Sequence, residues 1–284
     1  MVDLDVKIRT ATPADVPAIR RVLAAHGNDG PITTVDVVGP YVRHLIAHAT
    51  VRVSERDGEI VAFGAVADTG YAHHLADLFV QPDLIGQGIG WPLLEAVFGD
   101  AWPRTTFASE HPRALPLYVR AGMIPLWPCL YLEGSPERLP PSASTMSVGP
   151  ADPRTLTDLE RAWTGVDRPI DQAFWASQAD ADGFAVLEDG QPVAFAYSRA
   201  RQADATRIID RLVVRPGFDP VGPIVAAIRH GARDGLVAAC LLGPNPVLPI
   251  LLEARFKIID RDQFMTSDPT IIDPTRLLPN PGLL

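Results

Sequence analysis

Residues 80–90 read VQPDLIGQGIG and run directly into WPLLEAVF, residues 91–98. Gly86, Gly88 and Gly90 stand at every second position, after a run of strand-forming residues and before an apolar segment of helical type. A loop that leaves a strand and opens a helix presents free main-chain N–H groups, and the helix dipole adds roughly half a positive charge there. Glycine lets the backbone turn tightly and lets an anion approach without a Cβ in the way. The stretch therefore predicts a phosphate-binding loop between a strand and a helix.

Two common phosphate-binding motifs do not fit this loop. It lacks the Lys-Ser/Thr ending of a P-loop, and its glycine spacing is GxGxG rather than the GxGxxG of a dinucleotide-binding Rossmann unit. The sequence therefore disfavours both an NTPase and a dinucleotide enzyme.

Composition limits the remaining classes. The chain has 284 residues, of which 47% are apolar and 21% charged, and this is the balance of a globular protein with one large domain or two smaller ones. Its formal net charge of -9 and the absence of a Lys/Arg run argue against binding to nucleic acid or to an anionic membrane. The start lacks the pattern of a secretory signal, and no apolar stretch is long enough to span a membrane, so we expect a cytoplasmic protein. Cys129 and Cys240 lie far apart with no CxxC or Cys/His spacing, so no metal is expected.

The chain repeats one plan. The stretch LADLFVQP at 75–82 has a counterpart in IDRLVVRP at 209–216, and ALPLYVRAGM at 114–123 has one in VLPILLEARF at 247–256. A strand followed by a Pro-Ala-Asp step and an amphipathic helix precedes both sets. Three landmarks in one order indicate a tandem duplication.

The first copy reads as alternating helices and strands. The predicted elements are a strand near the start, helices at about 13–25, 35–48, 91–98 and 112–121, and strands at about 51–55, 60–67, 71–80, 105–109 and 124–132. Because helices interrupt a run of strands that contains a hairpin, we predict a mixed α/β (α+β) fold, with a mixed central sheet flanked by helices in each copy.

Two motifs of the first copy resemble those of the GNAT N-acetyltransferase superfamily. That family binds acetyl-CoA through V-x-P-x-x-[RQ]-G-x-G-[IV]-[GA] and carries A-x-x-L-Y-x-x-x-G-[FM] downstream. The first pattern is matched by Val80, Pro82, Gly86, Gly88, Ile89 and Gly90, and the second by Ala114, Leu117, Tyr118, Gly122 and Met123. Ile85 departs from the first pattern, because the family has Arg or Gln there. Since the family holds the pyrophosphate mainly through backbone amides, Ile85 should weaken that binding without abolishing it.

The resemblance implies an enzyme that transfers an acetyl group from acetyl-CoA to an amine directly, in a ternary complex. It makes Tyr118 the general acid for the departing thiolate, and it makes the end of the fourth strand bulge and part from the fifth. The residues expected to contact the cofactor are Leu78, Phe79, Val80, Ile85, Gly86, Gln87, Gly88, Ile89, Gly90, Trp91 and His111.

Two residues compete for the role of general base. Strict alternation along residues 71–80 would place His73, Leu75 and Asp77 on one face, and His74, Ala76 and Leu78 on the other. We predict His74 as the base, since an imidazole accepts a proton near neutral pH. Asp77 is the alternative, either as base or as the ligand of a cationic substrate.

The second copy has lost the binding features. Pro220 and Pro223 stand in its loop, which removes two amide donors, and Leu251 replaces the tyrosine. We therefore predict four segments: an active acetyltransferase domain at 1–134, a linker at 135–145, a degenerate copy at 146–265 and a proline-rich tail at 266–284. The tail has too many prolines for a regular element, and its Ile271, Ile272, Leu277 and Leu278 predict that it lies against the protein surface.

The partner expected from the acidic composition is a small-molecule amine, with a protein N-terminus or lysine as alternatives. The loops around 26–34 and 68–73 would shape the acceptor site, and both a monomer and a homodimer remain open. Two other functions also remain open: a CoA-binding regulatory or scaffold protein without turnover, and a nucleotide-binding module that NAD or ATP would protect against heat.

Overall fold

The computed structural model describes residues 6–27, 35–201, 204, 206–233 and 235–284. In the helix that begins at residue 35, side chains are described from residue 39 onwards. Residues 28–34 of one expected acceptor loop lie outside the described residues.

The elements of the first half alternate as predicted, with ends within a few residues of those expected. They are β1 (Lys7–Thr10), α1 (Val16–Ala24), α2 (Val35–His48), β2 (Thr50–Arg56), β3 (Glu59–Asp68), β4 (His73–Val80), α3 (Gly90–Phe98), β5 (Arg104–Ala108), α4 (Ala114–Arg120) and β6 (Ile124–Gly134). A short 3₁₀ turn at Pro13–Asp15 leads into α1. The Asp15 carboxylate accepts the Thr12 main-chain N–H at 2.7 Å and so caps this turn.

The second half repeats the same order of elements, as a tandem duplication predicts. They are β7 (Met146–Pro150), α5 (Pro153–Thr164), α6 (Pro169–Ala176), β8 (Asp182–Glu188), β9 (Gln191–Ala200), β10 (Arg207–Val214), α7 (Val221–Ala232), β11 (Val237–Leu242), α8 (Leu248–Glu253) and β12 (Lys257–Thr266). A two-residue strand, β13 (Leu277–Leu278), follows in the tail.

The strands of both halves form one continuous sheet, and the halves exchange their last strands. The order is β1-β2-β3-β4-β5-β12-β6-β11-β10-β9-β8-β7, so that β12 pairs with β5 and β6 pairs with β11. A mixed sheet flanked by helices is thereby confirmed. The exchange was not expected from the sequence, and it means that each half is completed by a strand of the other. The predicted domain boundaries stay a prediction.

Helices cover both faces of the sheet. One face packs against α1, α2, α5 and α6, and its buried side chains form a single core that runs through both halves. The other face packs against α3 and α4 in the first half and against α7 and α8 in the second, with a separate core under each pair. Each neighbouring pair in the series β5, β12, β6 and β11 is antiparallel, so β5 and β11 run in opposite directions. Strand β4 is parallel to β5 and β10 is parallel to β11, so the carboxyl ends of β4 and β10 lie at opposite edges of the sheet.

The proline-rich tail lies against the protein, as its apolar residues predicted. The side chains of Ile272, Leu277 and Leu278 in this tail are buried. It does contain a regular element, contrary to expectation, because β13 pairs antiparallel with β10 through Leu212 and Val213.

Within the described part of the chain, no helix is long and apolar enough to cross a membrane. The same residues contain no group of three or more His, Cys, Asp or Glu side chains that would suit a metal ion.

Candidate functional site

A β-bulge in β4 decides which side chains share a face. In the ladder between β3 and β4, Leu75 pairs with Val66 and Asp77 pairs with Ala65, so Ala76 is an extra residue. The predicted alternation is therefore wrong beyond Leu75: Asp77 shares a face with His74 and not with Leu75. Both candidates for the general base, His74 and Asp77, therefore lie on the same face of β4.

Strands β4 and β5 part at this bulge, as the family resemblance implied. Their parallel pairing ends where Leu75 meets Thr106, although β4 continues to Val80. The main-chain N–H of Gln81 donates to Val61 on β3, at 2.8 Å. Because alternate residues of an antiparallel ladder point to opposite sides, the main-chain groups of Leu78 and Val80 face the gap and those of Phe79 face β3. Leu78 and Val80 thus fit the expected pairing with an extended ligand arm, whereas Phe79 contributes only its side chain.

One group that the sequence did not predict already reaches this gap. The Val80 carbonyl oxygen accepts a hydrogen bond from Nε2 of His26, at the end of α1, over 2.7 Å. The His26 ring also contacts Phe79 edge-on, with 5.2 Å between ring centroids. This contact ties α1 to the end of β4.

The glycine loop is open at Gly88 and Gly90, and three of its amides are free. Gly86 and Gly88 have φ of 87° and 91°, in the left-handed region that favours glycine. A Cβ at Gly88 or Gly90 would meet no atom within 4 Å. In the described part of the chain, the main-chain N–H groups of Gly86, Gly88 and Ile89 have no hydrogen-bond partner, and the Gln87 side chain folds back onto the Asp83 carbonyl. The loop leads into α3, so the residues present fit a diphosphate.

The remaining residues predicted to contact the cofactor surround this loop. Ile85 is half-buried beside it and carries no donor. The Trp91 ring, at the start of α3, stacks under the Arg120 guanidinium, 3.8 Å from the ring centroid. His111 is exposed before α4, and its Nδ1 accepts the Arg113 main-chain N–H at 3.2 Å. None of these contacts tests the predicted roles, which stay predictions.

Tyr118 lies on the face of the sheet opposite to that of Asp77. It is 7% exposed and packs in the core beneath α3 and α4. Burial raises the pKa of its phenol, and the nearby carboxylates of Asp262 and Asp77 raise it further. The phenol is therefore protonated at neutral pH, and the gap between β4 and β5 brings it near carboxylates of the opposite face.

Asp77 has the properties of a general base. Burial raises the pKa of its carboxyl to about 6, and the Tyr41 hydroxyl partly opposes this rise. Its Oδ2 is buried and has no hydrogen-bond partner among the described residues. A carboxylate with a pKa just below neutrality and an unused lone pair is suited to accept a proton.

His74, by contrast, is held on both ring nitrogens. Its Nε2 lies 2.9 Å from the Pro281 carbonyl oxygen and its Nδ1 lies 3.0 Å from Thr105 Oγ1. The carbonyl only accepts, so Nε2 carries the proton and Nδ1 accepts from the threonine. Burial lowers the pKa of this imidazole to about 4, with the Pro281 carbonyl opposing the effect. The geometry disfavours our prediction of His74 as the base and gives it a structural role against the tail.

The exchanged strand β12 adds a second carboxylate that sequence reasoning missed. Asp262 accepts a hydrogen bond of 2.6 Å from the Tyr131 hydroxyl. Burial raises the pKa of Asp262 to about 6, Tyr131 opposes this, and the charges of Asp260 and Glu110 add to it. No local pattern could reveal this residue, because only the pairing of β12 with β5 brings it near Tyr118.

The corresponding site of the second half is filled by the protein itself. At the position equivalent to Val80, the Val214 N–H donates to the Arg276 carbonyl at 2.9 Å, and β13 occupies the gap beside β10. At its helix start, the Val221 N–H donates to Asp219, and a Cβ on Gly222 would lie 2.7 Å from Met146. The predicted loss of cofactor binding thus has a physical basis. The second half also shows how an extended segment pairs with the end of such a strand.

Comparisons with known proteins agree with this geometry. Residues 47–122 match the family model described as "Acetyltransferase (GNAT) domain". Comparison with curated proteins finds no match.

Solved structures share the fold over nearly the whole chain. A putative acetyltransferase from Pyrococcus horikoshii is 14% identical with a TM-score of 0.73, covering 98% of this chain and 94% of that one. A tandem GNAT protein from the clavulanic acid biosynthesis pathway is 14% identical with a TM-score of 0.64, covering 93% and 99%. A GCN5-related N-acetyltransferase from Sphaerobacter thermophilus is 18% identical with a TM-score of 0.62, covering 92% and 95%. At these identities the likeness shows the fold alone.

Proposed function

We propose that this chain, which carries a GNAT acetyltransferase domain match at residues 47–122 in a tandem GNAT fold, transfers an acetyl group from acetyl-CoA to a small primary amine. The observation that carries the proposal is the gap between β4 and β5, flanked by a loop with three free amides and by a protonated tyrosine. Only the first half has these three features together among the described residues.

Acetyl-CoA would supply an activated thioester. The main-chain N–H groups of Leu78 and Val80 face the gap, where they would polarise the thioester carbonyl. The free amides of Gly86, Gly88 and Ile89 would hold the diphosphate at the start of α3. The gap therefore orients the cofactor between two catalytic side chains on opposite faces.

Asp77 and Tyr118 would handle the protons of the reaction. Asp77 would accept one from the ammonium form of the acceptor, directly or through water, and so leave a neutral amine that can attack, because its Oδ2 is unused and its pKa of about 6 leaves it ionised at neutral pH. Tyr118 keeps its proton at neutral pH and would give it to the sulfur of the departing thiolate. The second proton that the amine nitrogen loses on becoming an amide would return Tyr118 to its phenol form.

The electrostatics favour a cationic acceptor. Asp77 and Asp262 lie near the same phenol, and the net charge of the chain is -9. The Tyr131 hydroxyl fixes the Asp262 carboxylate. A small amine that carries its charge into this space would be drawn to both carboxylates.

The test is release of free thiol from acetyl-CoA over a panel of mono- and diamines, together with calorimetric titration of CoA. We expect CoA to bind and at least one amine to give turnover that falls in Tyr118→Phe. Binding without turnover, with a Tyr118→Phe variant that behaves like wild type, would instead support a CoA-binding regulatory or scaffold protein. Stabilisation by NAD or ATP but not by CoA would support the nucleotide-binding alternative.

A further inference from the structure

One cation lies directly against the glycine loop. A Cβ built on Gly86 would sit 2.9 Å from both the central carbon and Nη1 of the Arg113 guanidinium. Arg113 immediately precedes α4 and is exposed. Its guanidinium is thus packed on the Gly86 backbone, at the edge of the amide cradle.

This guanidinium is also unused. In the described part of the chain, no hydrogen bond or ion pair to the Arg113 side chain is present, and its main-chain N–H alone has a partner, in His111. Neighbouring Glu110 is paired instead with Arg261. An arginine fork with free donors beside free main-chain amides can donate to the same anion.

The loop itself contains no cation. Between Gln81 and Trp91 the one charged side chain is Asp83, which is negative and exposed. Ile85 supplies no donor at the position where charge would be expected. Main-chain amides and a helix dipole carry only partial charges, whereas a diphosphate carries full ones.

We propose that Arg113 binds the diphosphate of the acyl-CoA and supplies the cation that Ile85 does not. The inference rests on the proposed function, since it assigns a residue to the same cofactor site. It also links the cofactor to catalysis, because Arg113 stands at the start of the helix that carries Tyr118. Arg113 is a binding residue, and its substitution should act on cofactor affinity rather than on proton transfer.

The test compares wild type, Arg113→Ala and a control, Arg154→Ala, which removes the same charge from an exposed site at the start of α5. We expect Arg113→Ala to weaken CoA binding about 10- to 100-fold in calorimetry, as for loss of a charge-assisted hydrogen bond. The KM for acetyl-CoA should rise in parallel, while kcat changes little. Arg154→Ala should stay within twofold of wild type.

Truncated donors identify the group that is bound. Acetyl-pantetheine lacks the diphosphate, so wild type and Arg113→Ala should use it equally well. Removal of the 3′-phosphate from CoA should leave the effect of Arg113→Ala intact. In the double variant Arg113→Ala/Ile85→Arg, an arginine at position 85 replaces the lost positive charge. This variant should bind CoA at least about tenfold more tightly than Arg113→Ala.

Three results would overturn the inference. They are CoA affinity within twofold of wild type in Arg113→Ala, an equal loss with acetyl-pantetheine, or disappearance of the loss when the 3′-phosphate is absent. If wild type fails to bind CoA at all, the proposed function fails first, and the two failures are thus distinguishable.

Discussion

Asp77 and His74 lie on the same face of β4, although strict alternation would place residues at this separation on opposite faces. The extra residue, Ala76, rotates the strand by one position directly after its last pair with β5. The bulge thus presents Asp77 at the gap, while His74 stays in the paired part of the strand, hydrogen-bonded to Thr105 and the tail.

The first prediction separates these two residues by activity. Asp77→Asn should lower kcat about 100-fold or more, because an amide cannot accept the amine proton. His74→Gln should keep kcat within about fivefold and lose roughly 1–3 kcal/mol of unfolding free energy, since a buried hydrogen bond is disturbed. Thiol-release kinetics, with urea unfolding of each variant, would check this. Equal loss of kcat in both variants would restore His74 as a candidate base.

The second prediction concerns pH and the stability of the same carboxylate. Because burial raises the pKa of Asp77 to about 6, its ionisation opposes folding. The native state holds this proton more tightly than the unfolded chain does, so the free-energy penalty is absent below about pH 4, grows as pH rises to about 6, and is constant above. Asp77→Asn should therefore gain stability relative to wild type across this window, by about 3 kcal/mol at most.

Denaturant unfolding at several pH values would measure this difference. Asp57→Asn is the matched control, because the Asp57 side chain is 92% exposed. A stability difference between Asp77→Asn and wild type that does not change with pH would contradict the assigned pKa.

The third prediction addresses Tyr118. Tyr118→Phe keeps the packing under α3 and α4 and removes only the hydroxyl, which has no hydrogen-bond partner among the described residues. We expect kcat to fall about 10- to 100-fold, with little change in stability or in the affinity for CoA. Steady-state kinetics and calorimetry on one preparation would measure both. Unchanged kcat would remove Tyr118 from the mechanism.

The sequence predicts the parts of the site that depend on local pattern. The glycine loop, the helix after it and the decay of the second loop follow from residue type and spacing, because a few neighbouring residues determine each of them. The bulge at Ala76, the exchange of β6 and β12 and the insertion of β13 beside β10 do not, because each depends on which distant strands pair and in what register. Asp262 and Arg113 were missed for the same reason.

The fourth prediction is that the chain binds one CoA. Because β13 and Met146 fill the second site, calorimetry should give one site per chain. Gly88→Ala should weaken CoA binding at least about tenfold, since a methyl group would enter the cradle and φ there is 91°. Gly58→Ala is the control: φ is 79°, with no atom within 4 Å of a Cβ, so backbone strain is matched far from the loop. Two sites per chain, or equal weakening in both variants, would contradict this prediction.

The fifth prediction concerns Arg211, which stands in β10 at the position equivalent to Asp77. It is fully buried, and its Nη2 donates to Glu160 Oε1 at 2.6 Å. At the position of the proposed base, the second half thus has a buried charge pair, on the face that joins the two halves. Removing one partner leaves an uncompensated buried charge, so Glu160→Gln should cost about 3–5 kcal/mol of unfolding free energy. The double variant Glu160→Met/Arg211→Met removes both charges and should cost less than Glu160→Gln alone. Urea unfolding would measure both variants, and a larger loss in the double variant than in Glu160→Gln would contradict this prediction.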